Sequence, residues 1–226
     1  MSRWAAALLE VTPAGTFEHG MSTLQLLRDQ IGQPVWPVHR LDKGTSGVLL
    51  FALDAETASL LGRAFESGDG MRKTYHAIVR GWPADEGLID HPLRRMPDDM
   101  RTEREEVQDA VTRFRTLERY ELPLPQGGFA TTRCALLELQ PLTGRRHQLR
   151  RHMKHIAHPI IGDATHGKGP LNRAVAECLG VQRLWLRLEL SARRPARVLP
   201  LKRLPHPQPQ PPPQGSQSAR VRPSGR

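Results

Sequence analysis

Cysteine is scarce in this chain of 226 residues, which contains two. Cys134 and Cys178 are far apart and form no CxxC pair, which argues against a disulfide scaffold or a zinc ribbon and fits a reducing compartment. Long apolar runs are also missing. No segment approaches the roughly 20 residues of a membrane-spanning helix, and the apolar run at 5–9 is too short for a secretory signal. We expect a cytoplasmic protein without a membrane partner.

Several motifs of common enzymes are absent as well. The sequence has no P-loop and no GxGxxG fingerprint, which argues against nucleotide-fuelled or dinucleotide chemistry. Nothing suggests a Ser-His or Cys-His nucleophile. The chain does have an excess of positive charge, with 33 Lys and Arg against 23 Asp and Glu and a formal net charge of +10. This balance indicates a polyanionic partner such as RNA, DNA or an acidic membrane surface.

The hydrophobic pattern predicts one domain at 22–190. It is preceded by a segment at 1–21 without a clear period and followed by a disordered, basic, Pro-rich tail at 191–226. The predicted elements are helices at 22–31 and from Asp54 to about 68, strands at 47–52, 73–80 and 183–190, and a hairpin of 110–120 with 131–140.

Residues 84–109 are polar and charged. They predict a surface excursion, which is either a solvated loop or a contact for an RNA backbone.

The first stretch that suits chemistry is His39-Arg40-Leu41-Asp42, which a turn of Lys43-Gly44-Thr45 joins to a buried apolar run. A carboxylate at the mouth of a strand suits chemistry on a bound ligand. Asp42 could instead cap its own turn through the carboxylate. This stretch alone favours the capping role, and the rest of the chain has to decide.

A second stretch predicts a basic helix at 143–156, with Thr143 as its cap and Leu149, Met153 and Ile156 on its buried side. Its cations indicate a surface for a polyanion rather than for a membrane, because large apolar residues are few. These cations are Arg145, Arg146, Arg150, Arg151 and Lys154. An Arg of this helix could pair with Asp42 and keep that carboxylate ionised.

Histidines of the same region raise the question of a metal site. His147, His152, His155 and His158 are close in sequence, but no Asp, Glu or Cys follows them until Asp163. Cations flank His152 and His155 and would repel a metal ion. We therefore expect no metal.

The chain resembles the RluA-type pseudouridine synthases in three places, which occur in the family's order: HRLDKGTSGVLLFA, RKTYHAIVRG and PLTGRRHQLRRHMKHIAHPIIGD. Within this family it is most similar to the tRNA-specific TruC group, over roughly residues 25–185. The resemblance implies an α+β fold, with a mixed, mostly antiparallel sheet, flanking helices and a central active-site cleft. It also implies an isomerase without metal or organic cofactor, and we expect a monomer.

The resemblance implies roles for individual residues. Asp42 matches the family's essential aspartate, and Tyr75 the tyrosine that packs on the target base and helps to remove the C5 proton. Arg150 matches the basic partner of the aspartate, and Arg40 the residue that takes the space of the flipped nucleotide. The phosphates would be held by Arg145, Arg146, Arg151 and Lys154. Tyr75 could instead be a core aromatic residue, and Arg150 one more phosphate contact.

The reaction that the resemblance implies is the isomerisation of a uridine in RNA, with tRNA as the expected substrate. The base flips out, and Asp42 either attacks C1′ or removes a sugar proton. The N-glycosidic bond breaks, the uracil turns, and a C–C bond forms at C5. The alternatives are a ribosomal RNA substrate and a catalytically decayed, RNA-binding relative.

Overall fold

A computed structural model describes the backbone of residues 6–11, 23–67, 71–96, 106–192 and 198–200. Within these ranges the chain forms eleven strands and four helices. The strands are β1 (Ala6–Val11), β2 (Trp36–Pro37), β3 (Ser46–Ala52), β4 (Met71–Arg80), β5 (Glu86–Asp90), β6 (Leu93–Arg94), β7 (Val107–Gln108), β8 (Val111–Leu122), β9 (Thr132–Pro141), β10 (Leu186–Ala192) and β11 (Val198–Pro200). The helices are α1 (Thr23–Ile31), α2 (Ala55–Ser67), α3 (Gln148–His155) and α4 (Gly169–Leu179).

Nine strands form one mixed sheet in the order β11-β1-β3-β10-β4-β9-β8-β5, with β2 paired to β3. The pairs β1–β11 and β3–β10 are parallel, and the other pairs are antiparallel. The remaining two strands, β6 and β7, form a separate hairpin. The prediction of a mixed, mostly antiparallel sheet with flanking helices is therefore confirmed.

Helices cover both faces of the sheet. On one face, Leu149 and Met153 of α3 pack against the alternate apolar residues of β4 and β9, such as Val79 and Leu137. On the other face, Leu171 of α4 packs with Cys134, whose side chain points opposite to that of its neighbour Ala135. The alternation along each strand thus places α3 on the face that also carries Tyr75.

The helix predicted at 22–31 and the hairpin of 110–120 with 131–140 are confirmed to within two residues. The basic helix begins later than predicted, at Gln148 instead of Thr143. The Thr143 hydroxyl accepts the Val111 N–H at 3.0 Å and donates to the Gln148 side chain at 2.7 Å. Residues 143–147 therefore form a loop tied to β8, and His147 has a left-handed backbone with φ of 54°.

Several elements were not predicted, and three of them matter most for the fold. Residues 84–109 are not only a surface excursion, because β5 pairs with β8 and buries Ile89. The helix α4 follows the loop at 157–167, where the sequence predicted no further helix. The strand β1 pairs with β3 from Ala6 to Val11, although its sequence shows no clear period.

The parallel partner of β1 is β11, which lies within the segment predicted as a disordered tail. Of the predicted tail, residues 193–197 and 201–226 lie outside the described residues, as does the stretch at 97–105.

Candidate active site

A cleft of about 1100 Å³ lies between the sheet and the loops that precede β3 and α3. Its walls come from residues 38–42, α2, the start of β4, the β6–β7 hairpin and residues 140–149. Asp42, Tyr75 and Arg40 all line it. The structure therefore brings residues of the first two motifs to one cavity, and the loop that leads into the third motif forms its opposite wall.

Asp42 lies on a turn whose closing hydrogen bond runs from the Thr45 N–H to the Asp42 backbone carbonyl at 2.9 Å. Gly44 in this turn has φ of 88°, a value that glycine adopts without strain. Because the backbone closes the turn, the Asp42 carboxylate is not needed as its cap. The side chain is 28% exposed, so the carboxylate stands at the cleft wall, open to a ligand.

Arg150 stands beside Asp42, but its close partner is a different carboxylate. Its Nη1 lies 3.8 Å from Asp42 Oδ2, which is an ion-pair distance longer than a hydrogen bond. Its Nε and Nη2 donate to Asp163 Oδ2 and Oδ1 at 2.7 and 2.8 Å. Arg150 thus forms a bidentate salt bridge with Asp163, and its remaining nitrogen, Nη1, points towards Asp42.

Asp163 is the functional residue that sequence reasoning missed. It appeared in the sequence only as a distant acidic neighbour of the histidines. Its Oδ1 also accepts the backbone N–H groups of Thr165 and His166, each at 2.9 Å. These donors suggest a fixed carboxylate whose task is to hold Arg150, and the Asn172 side chain anchors the loop through the Asp163 carbonyl at 2.9 Å.

The buried pair has shifted pKa values that follow from this geometry. Burial would raise the pKa of Asp163, but the hydrogen bonds from Arg150 and the charge of that guanidinium lower it overall. Burial would lower the pKa of Arg150, but the hydrogen bonds and charge of Asp163, together with the charge of Asp42, raise it overall. Both groups are therefore charged near neutral pH.

Tyr75 lies on β4 and is packed against the core beneath the cleft. Burial, and to a lesser extent the charge of Asp42, raises the pKa of Tyr75 to about 12. The phenol is consequently protonated near neutral pH. Such a group suits packing against a base and hydrogen-bond donation better than it suits proton removal.

His39 fixes the start of the Asp42 loop. Its ring stacks on Phe65 with centroids 4.8 Å apart, and its Nε2 accepts the Leu50 N–H at 3.2 Å. Burial lowers the pKa of His39 to about 4, so the ring is neutral and rigidly placed. Sequence reasoning quoted this residue within the first motif without assigning it a task.

Several of the predicted RNA-binding residues line the cleft, namely Arg40, Arg145, Arg146 and Arg151. Two of them also hold the β6–β7 hairpin: Arg145 Nε donates to the Asp109 carbonyl, and Arg151 Nη1 to the Arg94 carbonyl, both at 2.9 Å. Lys154 is exposed on α3 and is not among the lining residues.

Further basic residues line the cleft that were not predicted as part of the site: Arg72, Lys73, Arg94 and Arg95. Arg94 and Arg95 belong to the stretch at 84–109, for which an RNA contact was one of two open interpretations. Cations therefore stand on both sides of Asp42, from β4 on one wall and from the hairpin and the loop before α3 on the other.

The histidines have other contacts than a metal ion. The ring of His152 is buried and its two nitrogens lie 2.9 Å from the Thr112 hydroxyl and 3.0 Å from the His91 carbonyl. His147 Nδ1 lies 3.2 Å from His166 Nε2. Across the described part of the chain, no group of three or more His, Cys, Asp or Glu is arranged to hold a metal. In that same part, no helix is long and apolar enough to cross a membrane.

Comparison with known proteins agrees with this geometry. Residues 8–155 match the family described as RNA pseudouridylate synthase. A Vibrio cholerae protein named tRNA pseudouridine synthase C is 52% identical over 167 residues, which cover 72% of this chain and 68% of the relative. A Salmonella typhi protein of the same name is 48% identical over 175 residues, covering 74% and 67%.

The solved structure of human RNA pseudouridylate synthase domain containing 1 superposes with a TM-score of 0.62 at 26% identity. The superposition covers 83% of this chain and 74% of the human chain. The same family is indicated by the mostly antiparallel sheet, by the matched segment and by the sequence identity to the bacterial relatives. The chain therefore belongs to the RNA pseudouridylate synthase family.

Proposed function

We propose that this chain converts a uridine of tRNA into pseudouridine and that Asp42 acts on the ribose of the target nucleotide. The observation that carries this proposal is the placement of Asp42. Its carboxylate stands at the wall of a basic cleft, 3.8 Å from an arginine whose other two nitrogens are occupied by Asp163. The choice of tRNA rests on the names of the bacterial relatives.

Access to the ribose requires the target nucleotide to leave its stack, because C1′ is shielded within a helix. Arg40, two residues before Asp42, is exposed and lines the cleft. Its exposure supports the role of entering the gap that the flipped nucleotide leaves. Arg146, together with the cations of the hairpin and of β4, supplies the charge that holds the phosphates.

Asp42 then either attacks C1′ or takes a proton from the sugar, and both steps need the carboxylate form. Arg150 orients that carboxylate without a close hydrogen bond to it, so the oxygen lone pairs remain available. The glycosidic bond breaks and the uracil turns within the cleft. C5 then bonds to C1′ while the Asp42–C1′ bond breaks, or while Asp42 returns the sugar proton, and the C5 proton passes to water. Tyr75 packs against the base while it turns.

The experiment is the release of tritium from RNA that carries [5-³H]uridine, because C5 loses its hydrogen when it bonds to C1′. Purified protein is compared on tRNA and ribosomal RNA transcripts, and carbodiimide labelling maps the modified position. Asp42→Asn should abolish release. Asp29→Asn, an equal change at an exposed position on α1, should leave it unchanged.

Two results would overturn the proposal. Release from ribosomal RNA alone would correct the substrate. If the protein converts no uridine in either RNA while Asp42→Ala binds RNA as tightly as the unchanged protein, the chain is an RNA-binding relative that has lost catalysis.

A further inference from the structure

Thr45 carries a buried hydroxyl that has no partner. The residue is 5% exposed, it lines the cleft, and its Oγ1 is closed to solvent without a hydrogen bond to any described residue. Buried polar side-chain atoms are nearly always paired in folded proteins, so an unpaired one needs an explanation. The backbone N–H of the same residue closes the Asp42 turn at 2.9 Å, so Thr45 belongs to the turn that carries the reacting carboxylate.

The sheet order places Thr45 and Tyr75 on opposite sides of β10, two residues apart in register. Strand β10 lies between β3 and β4. Ser46 of β3 pairs with Arg187, which puts Thr45 beside Leu186, and Tyr75 of β4 pairs with Leu188. Because neighbouring strands are about 4.8 Å apart, β3 and β4 are separated by roughly 10 Å. This span leaves room for a pyrimidine ring between the two side chains, over the buried Leu186.

Depth in the cleft decides which part of a nucleotide reaches Thr45. The Asp42 side chain is 28% exposed, whereas Thr45 as a whole residue is 5% exposed, so Asp42 is the more solvent-accessible of the two. If the ribose meets Asp42, the base attached to that ribose extends further inward. We propose that the Thr45 hydroxyl forms a hydrogen bond with the uracil of the target nucleotide, an inference that rests on the function proposed above.

A hydroxyl suits a base that turns. A half-turn of uracil about its N3–C6 axis brings C5 to the position of N1, as the isomerisation requires, and exchanges O2 with O4. A hydroxyl that donates to one carbonyl oxygen before the turn therefore meets the other carbonyl oxygen afterwards. In the structure Oγ1 is closed to solvent, so the contact requires a rotation about χ1, which moves Oγ1 between staggered positions around Cβ.

Thr45→Val and Thr45→Ser form a matched pair of variants. Valine keeps the branched shape and removes the hydroxyl, whereas serine keeps the hydroxyl and removes the methyl group. Removal of one neutral hydrogen bond should lower kcat for tritium release about 3- to 10-fold. KM should stay unchanged, since the phosphates dominate RNA affinity. Thr45→Ser should retain kcat to within about twofold of the unchanged protein.

Thermal unfolding separates this role from a structural one. Because Oγ1 has no partner among the described residues, Thr45→Val should leave Tm unchanged or raise it. If kcat of Thr45→Val equals that of the unchanged protein, or falls only together with Tm, the inference is overturned. A fully inactive unchanged protein would instead overturn the proposed function.

A second measurement locates the contact directly. RNA with 5-fluorouridine at the target position has no C5 hydrogen to lose, so the base should remain in the cleft for structure determination. Thr45 Oγ1 within hydrogen-bond distance of O2 or O4 supports the inference. Contact with the ribose, or with water alone, overturns it.

Discussion

Replacement of Asp163 by Asn tests the support of Arg150. Charge-assisted hydrogen bonds of 2.7 and 2.8 Å join the two side chains. The side chain of Asp163 is 0% exposed and that of Arg150 is 6% exposed. The loss of one partner from a buried ion pair costs about 3–5 kcal/mol of unfolding free energy. In the variant, Arg150 would still have the Asp42 carboxylate at 3.8 Å as an ion-pair partner. We therefore expect a loss of unfolding free energy at the lower end of this range, about 3 kcal/mol. For a chain of this size Tm should fall by roughly 6–12 °C.

The pH dependence gives this prediction a definite sign. The pKa of Asp163 is lowered in the folded protein, mainly by Arg150 acting against burial. The stabilisation is therefore fully present above the unfolded-state pKa of about 3.9 and is lost as the pH falls through the lower folded value. Asparagine does not titrate, so the gap between the two proteins should be widest near pH 7 and narrow in acid.

Urea unfolding at pH 7 and near pH 3.5 measures both effects, and Asp29→Asn should stay within about 0.5 kcal/mol of the unchanged protein. The amide oxygen can still accept the Thr165 and His166 N–H groups, so the change removes the charge and the acceptor of Arg150 Nε but keeps the loop contacts. Tritium release should fall roughly 10- to 100-fold, because a displaced Arg150 no longer orients Asp42. A variant equal in stability to the unchanged protein at pH 7, or a gap that widens in acid, would refute the reasoning.

Three other results are expected. Gly47 has φ of 123° and a Cβ there would collide with the Leu188 carbonyl, so Gly47→Ala should yield little folded protein by circular dichroism. Gly62 lies in the helix α2 with nothing near the position of a Cβ. Gly62→Ala should therefore raise the unfolding free energy by about 0.5–1 kcal/mol. Burial lowers the pKa of His39 to about 4, so its NMR ring resonance should titrate near that pH; a midpoint near 6.5 would contradict the stacked, buried placement. Arg146→Ala should reduce the slope of log K against log salt for RNA binding by about 0.7–0.9, and an unchanged slope would exclude a phosphate contact.

Much of the site was predictable because its residues lie in local motifs. Asp42 follows from a turn that opens an apolar strand, and Tyr75 from the alternation along β4. The position of Arg150 on a short helix also follows from its apolar neighbours Leu149 and Met153. The resemblance to a known family supplied the roles, and the structure places Asp42 and Tyr75 in one cleft with Arg150 at its edge.

The partners of these residues were less predictable. Arg150 was expected to pair with Asp42, yet Asp163 holds it more closely. The sequence contains both carboxylates, and no feature of their neighbouring residues indicates which of the two pairs more closely with Arg150. The ranking depends on the loop after Ile161, which Asn172 and the N–H groups of Thr165 and His166 fold around Asp163.

The sequence by itself determined the basic character of the chain, the central helices and strands, and the motif residues, because short-range periodicity and turn residues encode these. Only the tertiary structure decided that β1 and β5 extend the sheet, that Arg145 and Arg151 also hold a hairpin, and that Asp163 grips Arg150. Strand pairing and side-chain contacts join residues far apart in the chain. Their free energy depends on distances of a few ångströms that only the folded chain sets.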